Sequence, residues 1–275
     1  MIRRSFITLA AVAALAACGM PHQKAAETPA AAAPAPATVI LVHGAFVDGS
    51  GWAPTKAELE RLGDKVVVVE MPGRPTNPKP AAEVSLDAYR DAVLAAVNAE
   101  TAPVVLVGHS AGGISISNVA EAVPEKIKTL VYVAAYLPQS GQSLQTLSST
   151  DAESALGKAL KIDAAGGVGE VDMAQRAAIF CNDCAPEVAA AIPAQMVPEP
   201  LALLGSPVTL TPEKFGAVDK IYVRTAQDRA VGPALQDRMV AATPVREVIR
   251  LDAGHLPMLS KPVELAAAID AAARR

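Results

Sequence analysis

One serine lies among glycines in the stretch GHSAGG at 108–113. An aliphatic run at 103–107 precedes Ser110, and a helix-like stretch to about Val123 follows it, so the pattern predicts strand, sharp turn and helix. Glycines without a Cβ let the strand and the helix pass close together around a strained serine. Its hydroxyl is then exposed at the end of a strand, near the positive end of a helix, where a nucleophile can act.

A serine hydroxyl is a poor nucleophile at neutral pH and needs a base within hydrogen-bond reach and a carboxylate that orients the base. His255 is the only histidine after Ser110 in the chain. When a serine lies on a turn of this kind, the order along the chain is serine, acid, histidine. We therefore predict His255 as the base and Asp228, which ends a strand between them, as the acid.

Three other aspartates fit the acid role less well than Asp228. Asp219 precedes the strand at 220–225 and so lies at its wrong edge, Asp237 falls within a helix, and Asp252 fits a turn. Asp228 itself could instead only cap the helix that follows it.

An acyl-transfer reaction also needs fixed donors where negative charge develops. The backbone N–H of Ala111, just after the nucleophile, is the first predicted donor. The second is the N–H of Ala45, in the turn after the first strand, with Phe46 as the alternative. His43 and His109 flank the site, and the sequence leaves open whether they pack structurally or touch the substrate.

Alternating strands and helices must position these groups. The pattern predicts an α/β fold, a mostly parallel sheet flanked by helices. Predicted strands cover 38–42, 65–70, 103–107, 128–134, 220–225 and 245–251, and helices cover 52–62, 85–100, 233–242 and 260–275. In such a sheet the site lies beyond the carboxyl ends of the strands.

A long insertion interrupts this alternation at about 139–218, which we call the cap. Helical patches are predicted at 151–160, 173–180 and 186–191, with no strand-like run between them. The segment is predicted to be a helical cap over the active-site edge, the alternative being a peripheral decoration. Cys181 and Cys184 lie within it. Further cysteine or histidine ligands for a metal are lacking, and both a disulfide and two free cysteines stay open.

The N-terminus has the features of an export signal. Residues 1–17 hold two arginines and an apolar run too short to span a bilayer comfortably. The ending LAAC at 15–18 resembles a bacterial lipoprotein box, which implies a lipidated Cys18, and 3–7 also looks like a twin-arginine signal. The rest of 18–37 is an Ala/Pro-rich tether. We expect a cell-envelope lipoprotein held at a membrane surface through Cys18, the alternative being an uncleaved N-terminus.

Composition narrows the function classes. A chain of 275 residues has room for one sizeable domain, here 38–275. The net charge is −4 and becomes more negative once the two arginines of a cleaved leader are lost, which argues against a nucleic-acid partner. Aromatic residues make up only 3% of the chain, so core and pocket must be largely aliphatic.

Several stretches together resemble the α/β-hydrolase superfamily. The resemblance is narrower for the branch that holds plant methylesterases, hydroxynitrile lyases and similar bacterial carboxylesterases. The matching stretches are HGAF at 43–46, GHSAGG at 108–113, PEKIKTLVYVAAYLP at 124–138, TAQD at 225–228 and GH at 254–255.

This resemblance implies a triad of Ser110, Asp228 and His255, no metal or organic cofactor, and hydrolysis of small carboxylic esters through an acyl-enzyme. The cyanogenic lyases of the branch carry threonine and lysine where this chain has Gly44 and Leu256, which favours the esterase side. Dehalogenases of the superfamily would carry an aspartate in place of Ser110. Lactone or amide hydrolysis, cyanohydrin cleavage and a non-catalytic ligand receptor on the same scaffold remain alternatives.

Overall fold

The structure is a computed structural model, and it describes residues 36–275. The predicted export signal, Cys18 and nearly all of the predicted tether lie outside the described residues. No helix of the described part is both long and apolar enough to cross a membrane.

Six parallel strands form the central sheet, in the order β2-β1-β3-β4-β8-β9. The fold class predicted from the sequence is confirmed, and each predicted core strand is present with its ends shifted by at most two residues. The strands of this sheet are β1 Thr38–Val42, β2 Lys65–Val69, β3 Val104–His109, β4 Ile127–Val133, β8 Lys220–Thr225 and β9 Glu247–Leu251.

Helices flank this sheet, and α1 packs against α11 while α2 packs against α3. Their bounds are α1 Ala53–Arg61, α2 Leu86–Asn98, α3 Gly112–Ala122, α9 Pro233–Ala242, α10 Pro257–Ser260 and α11 Pro262–Ala273. Ser85 precedes α2 as its N-cap residue, and its hydroxyl accepts a hydrogen bond from the Ala88 N–H at 3.1 Å.

Two adjacent inner strands of the sheet, β1 and β3, carry much of the aliphatic core. Ile40 and Leu41 of β1 and Leu106 and Val107 of β3 have no exposed surface. A strand covered on both faces needs apolar side chains on both, which explains the continuous aliphatic runs. Burying each such side chain contributes roughly 1.5–3 kcal/mol, enough to hold the strand ends in place.

The cap is built differently from the prediction. Its elements are α4 Leu144–Ser148, α5 Leu156–Ala159, β5 Leu160–Asp163, β6 Val168–Val171, α6 Met173–Phe180, α7 Pro186–Gln195, β7 Glu199–Pro200 and α8 Ala202–Gly205. The last predicted patch continues to Gln195. The expectation of a purely helical cap was wrong, because β5, β6 and β7 form a three-stranded antiparallel sheet.

The predicted helix at 151–160 was also wrong, since only 156–159 is helical and β5 begins at Leu160. Asp151 accepts hydrogen bonds from the Glu153 and Ser154 N–H groups, both at 3.2 Å, which closes a turn where the helix was expected. Gly167, with φ +67°, lies in the turn that joins β5 to β6. Cys181 and Cys184 of the cap form a disulfide, so the alternative of two free cysteines does not hold.

Candidate active site

Ser110 occupies the sharp turn between β3 and α3. Its φ is +53°, a left-handed backbone conformation that residues other than glycine seldom adopt. The strained turn is held from both sides, because the Ser110 N–H donates to Val133 O at 3.2 Å and Ser110 O accepts from the Tyr136 N–H at 3.1 Å. The serine therefore projects from a rigid backbone at the carboxyl edge of the sheet.

The glycines around Ser110 are required by close packing. A Cβ at Gly108 would lie 2.8 Å from Ile116 Cδ1 and 2.9 Å from Gly112 O, and one at Gly113 would lie 2.2 Å from Tyr136 O. Real Cβ atoms do not approach other atoms this closely. The spacing of glycines that drew attention to Ser110 thus has the steric cause expected from the sequence.

His255 and Asp228 complete a hydrogen-bonded line that begins at Ser110. The distance from Ser110 Oγ to His255 Nε2 is 3.0 Å, and that from His255 Nδ1 to Asp228 Oδ2 is 2.9 Å. The three residues come from the ends of β3, β8 and β9 and are buried. The geometry suits a tautomer in which the imidazole donates to the carboxylate and accepts from the hydroxyl.

The carboxylate of Asp228 is saturated with donors. Oδ1 accepts from the Ala230 and Val231 N–H groups at 2.8 and 2.9 Å, and Oδ2 accepts from Thr225 Oγ1 at 2.9 Å and Gln236 Nε2 at 3.3 Å besides His255. Asp228 therefore ties down the turn after β8 and also orients the imidazole.

The three rival aspartates lie elsewhere. Asp219 is bound to Arg246 before β8 begins, and Asp237 is bound to Arg224 on the outside of α9. Asp252 accepts from the Gln227 side chain at 2.7 Å.

The turn after β1, residues 43–47, passes directly beside Ser110, and we call it the oxyanion turn after the role predicted for it from the sequence. A Cβ at Gly44 would lie only 2.6 Å from Ser110 Cβ. Ala45 and Ala111 both line the cavity that contains Ser110, and in the described chain neither N–H donates a hydrogen bond to another protein group. The N–H of Phe46, the alternative donor, is instead bound to Glu199 Oε2 at 2.9 Å.

His43 and His109 support the site from behind and do not line the cavity of Ser110. Together with Trp52 they line a separate cavity of about 40 Å³. His109 Nε2 donates to the His255 backbone O at 2.8 Å. Burial, and then the neighbouring His255, hold the pKa of His109 well below its usual value, so this imidazole stays neutral.

The cavity in front of Ser110 has a volume of about 800 Å³. Its walls come mostly from the cap, and they combine an aliphatic surface with a polar stretch. The aliphatic part contains Leu144, Leu156, Leu160, Ile162, Leu201 and Leu204, and the polar part contains Gln145, Ser148, Ser149, Asp151, Ser154 and Lys158. A cavity of this size accommodates an organic molecule far larger than acetate.

The sequence did not point to several residues that shape this site. Phe180 places its ring edge-on to His255, with 5.3 Å between the ring centroids. Tyr136 lines the cavity, where burial and then the charges of Asp151 and Asp228 raise the pKa of its phenol. The position of Tyr136 just past β4 was the one available signal. The other residues had no such signal, because only tertiary packing brings them to the site: Phe180, Gln236 and Glu199.

Among residues 36–275, no group of three or more His, Cys, Asp or Glu side chains is arranged to hold a metal ion.

Comparison with known proteins gives a consistent result. The model of the "Alpha/beta hydrolase family" matches residues 39–268. Methylesterase 7 of Arabidopsis thaliana is 28% identical over 244 residues, which cover 83% of this chain and 93% of that protein. The alpha-hydroxynitrile lyase of Arabidopsis thaliana is also 28% identical, over 82% of this chain and 93% of its own. A pyrethroid hydrolase from Sphingobium faniae has a similar fold, with a TM-score of 0.77 at 24% identity over 87% of this chain and 98% of that one.

Proposed function

Because this chain belongs to the α/β hydrolase family, we propose that it is a serine hydrolase that cleaves carboxylic esters through an acyl-enzyme. The observation that carries the proposal is the hydrogen-bonded line Ser110–His255–Asp228 at the wall of a cavity large enough for a substrate. The similarity to a methylesterase supports an ester as the substrate.

In the first step, Ser110 Oγ attacks the ester carbonyl while His255 Nε2 takes its proton. Asp228 holds the imidazole in the productive tautomer and stabilises the imidazolium that forms. His255 then passes the proton to the leaving alcohol, which departs and leaves an acyl group on Ser110. In the second step water attacks this acyl group with His255 again as the base, and the acid is released.

The negative charge of each tetrahedral intermediate falls on the former carbonyl oxygen. We assign its donors to the N–H groups of Ala45 and Ala111, which line the cavity beside Ser110 and make no other hydrogen bond within the described chain. Donors fixed before the reaction stabilise the transition state without reorganisation, and each typically contributes about 10²–10³ in kcat.

The cavity supports esters with a bulky apolar part. Its aliphatic wall would bury such a group, and each added methylene that fits contributes up to about 0.8 kcal/mol of binding. We therefore expect kcat/KM to rise from p-nitrophenyl acetate to butyrate to octanoate.

The test compares purified wild-type protein with Ser110→Ala on these three esters. We expect Ser110→Ala to lower kcat by about 10⁴-fold or more, because it removes the atom that forms the acyl-enzyme. The matched control is Ser115→Ala, a buried serine of α3 whose hydroxyl has no partner among the described residues. Equal rates for wild type and Ser110→Ala would contradict the proposal. Failure of a fluorophosphonate to label Ser110 would favour a non-catalytic receptor.

Cyanohydrin cleavage is disfavoured at two positions. The lyases of this branch carry a threonine where Gly44 stands, and here a Cβ would meet Ser110 Cβ at 2.6 Å. They carry a lysine where this chain has Leu256, a buried side chain that lines the small cavity behind the site. A panel of lactones, amides and mandelonitrile, the last with cyanide detection, separates these activities from ester hydrolysis.

We further propose that the enzyme is exported and anchored to a bacterial envelope membrane through lipidated Cys18. The support is the sequence alone: the arginines, the short apolar run and the LAAC ending at 15–18. We expect Cys18→Ala to move the protein from the membrane fraction to the soluble fraction. Equal partitioning of the two forms would contradict the anchor.

A further inference from the structure

The oxyanion turn is bound to the cap around a strained residue. Phe46 has φ +65°, one of only three such values at residues other than glycine in the described chain. A residue held in this conformation costs of order 1–3 kcal/mol, so surrounding contacts must enforce it. The N–H of Phe46 donates to Glu199 Oε2 at 2.9 Å, and its O accepts from the Val197 N–H at 2.9 Å.

Glu199 belongs to a fully buried polar cluster. Its side chain and that of Arg74 have no exposed surface, and the two form an ion pair. Glu199 Oε1 accepts from Tyr89 Oη at 2.8 Å, and Arg74 Nε donates to Val47 O at 2.8 Å. The pair thus binds two successive residues of the oxyanion turn: Glu199 accepts from the Phe46 N–H, and Arg74 donates to the Val47 carbonyl.

A buried ion pair is weak evidence of a purely stabilising role, because desolvation offsets much of the attraction between the charges. The Glu199–Arg74 pair, however, points its carboxylate at the backbone of the oxyanion turn, which indicates a further role. Its carboxylate binds the amide next to that of Ala45, the proposed oxyanion donor, and the turn lies against the Ser110 side chain. The Phe46 ring also contacts Phe180 edge-on, and Phe180 contacts His255 in the same way.

We infer that Glu199, fixed by Arg74, is a positioning residue that holds the oxyanion turn of 43–47 at the distance from Ser110 that transition-state binding requires. Glu199 touches neither the substrate nor the reacting atoms. It acts through Phe46, and Arg74 acts through Val47, because a displacement of the turn by a fraction of an ångström would move the Ala45 N–H away from the developing charge. This inference rests on the proposed serine-hydrolase function.

Two variants separate positioning from folding. Glu199→Gln removes the charge and leaves Arg74 buried without a counterion, so it can lower stability as well as activity. Arg74→Met/Glu199→Gln leaves no unpaired charge, and its glutamine oxygen can still accept from Phe46 while the grip on Val47 is lost. The matched control is Arg224→Met/Asp237→Asn, which removes the ion pair between β8 and α9.

Two measurements that depend on stabilisation of the oxyanion, kcat and the affinity for a tetrahedral adduct, separate positioning from a purely structural role. We expect the buried double variant to lose about tenfold in kcat with little change in KM, and Glu199→Gln to lose more. Affinity for a trifluoromethyl ketone, which forms a tetrahedral adduct with Ser110, should fall in parallel with kcat. A purely structural role would lower the unfolding temperature and leave kcat and ketone affinity of the folded fraction unchanged.

Hydrogen exchange gives a test that needs neither catalysis nor a variant. In the wild-type protein, the Phe46 amide should exchange as slowly as amides of the central strands. Exchange at the rate of an open loop would overturn the inference, as would wild-type kcat and ketone affinity in the buried double variant. If the wild-type protein hydrolyses no ester and Ser110 is not labelled by a fluorophosphonate, the proposed function fails instead.

Discussion

At the sheet edge Ser110, Asp228 and His255 follow strands of a largely apolar sheet, whereas the cap is held by polar cross-links. The strand β3, which leads to Ser110, is wholly buried and begins with the aliphatic run VVLV, and β8, which leads to Asp228, is buried at every position except Arg224. In the cap, the buried Arg176 of α6 donates to the carbonyls of Val171, Pro193 and Met196. A disulfide and the Glu199 ion pair add to these links.

This difference predicts how each region fails. Apolar burial is non-directional and spread over many contacts, so the strands should tolerate changes that conserve volume. A polar cross-link depends on a few atoms, and losing one partner leaves the other buried without a hydrogen bond, at a cost of about 1–3 kcal/mol. We therefore expect the sheet edge to be sensitive mainly at Ser110, His255 and Asp228 and at the close-packed glycines and hydrogen-bond partners around them, and the cap to be sensitive to the loss of single polar groups.

The largest effect is expected at the sheet edge itself, from Asp228→Asn. The N–H groups of Ala230 and Val231 hold the amide oxygen, which turns the NH₂ group toward His255 Nδ1, so the imidazole is driven to the unproductive tautomer. We expect a loss of about 10⁴-fold in kcat, with KM changed little. Steady-state kinetics with p-nitrophenyl butyrate measure it.

Asp252→Asn is the matched control for this change. Asp252 is exposed and lies three residues before His255, and among residues 36–275 its side chain pairs only with that of Gln227. Its substitution should leave kcat within about twofold, since exposed polar pairs contribute little. Similar losses in the two variants would contradict the assignment of the acid.

The sheet edge could be predicted from the sequence because its causes are local. Continuous aliphatic runs marked β1 and β3, and glycines marked the turn at Ser110. One downstream histidine, and strand ends that share an edge, then identified His255 and Asp228. The structure brings these three groups within hydrogen-bond distance, as the chain order suggested.

The sequence predicts the cap and its helices at 173–180 and from 186, but not its strands or the turn at 151–155, whose causes are distant in sequence. Residues 151–155 have helix-forming composition, yet Asp151 accepts from the Gly232 N–H at 2.7 Å and Ser154 donates to Ala230 O at 2.8 Å. These bonds to the segment after Asp228 compete with a helix. Glu199 and Arg74 are 125 positions apart, and nothing in the sequence distinguishes them from the other acids and bases.

A smaller effect is expected in the cap, from loss of the Cys181–Cys184 disulfide. Asn182 donates to the backbone O of Gln227 at 3.1 Å, next to Asp228, and the neighbouring Phe180 contacts His255. Closing a four-residue loop contributes about 2 kcal/mol in the chain-entropy model. Cys181→Ser/Cys184→Ser should lower the unfolding free energy by up to that amount and kcat severalfold, as measured by urea unfolding and ester hydrolysis.

Dithiothreitol provides the internal control for the disulfide. It should reduce the activity of the wild-type protein toward that of the double-serine variant and leave the variant unchanged. An identical response of both proteins would show that the reductant acts elsewhere and that the disulfide does not support the site.

The smallest effect is expected at His109, and it tests whether a buried polar group at the sheet edge also lowers the free energy of unfolding. Burial lowers the pKa of His109 in the folded chain, so the unfolded chain binds more protons below its ordinary value of about 6.5. The folded state therefore loses stability as pH falls through this range, by at most about 1.4 kcal/mol per pH unit.

His109→Gln should flatten that decline between pH 7.5 and 5.5, as measured by urea unfolding, because glutamine can still donate to His255 O without titrating. His22→Gln, in the predicted tether, should leave the slope unchanged. Parallel curves of unfolding free energy against pH for wild type and His109→Gln would mean that the folded chain accepts a charged imidazole behind Ser110. The sheet edge would then tolerate a buried charge and would differ less from the polar cap.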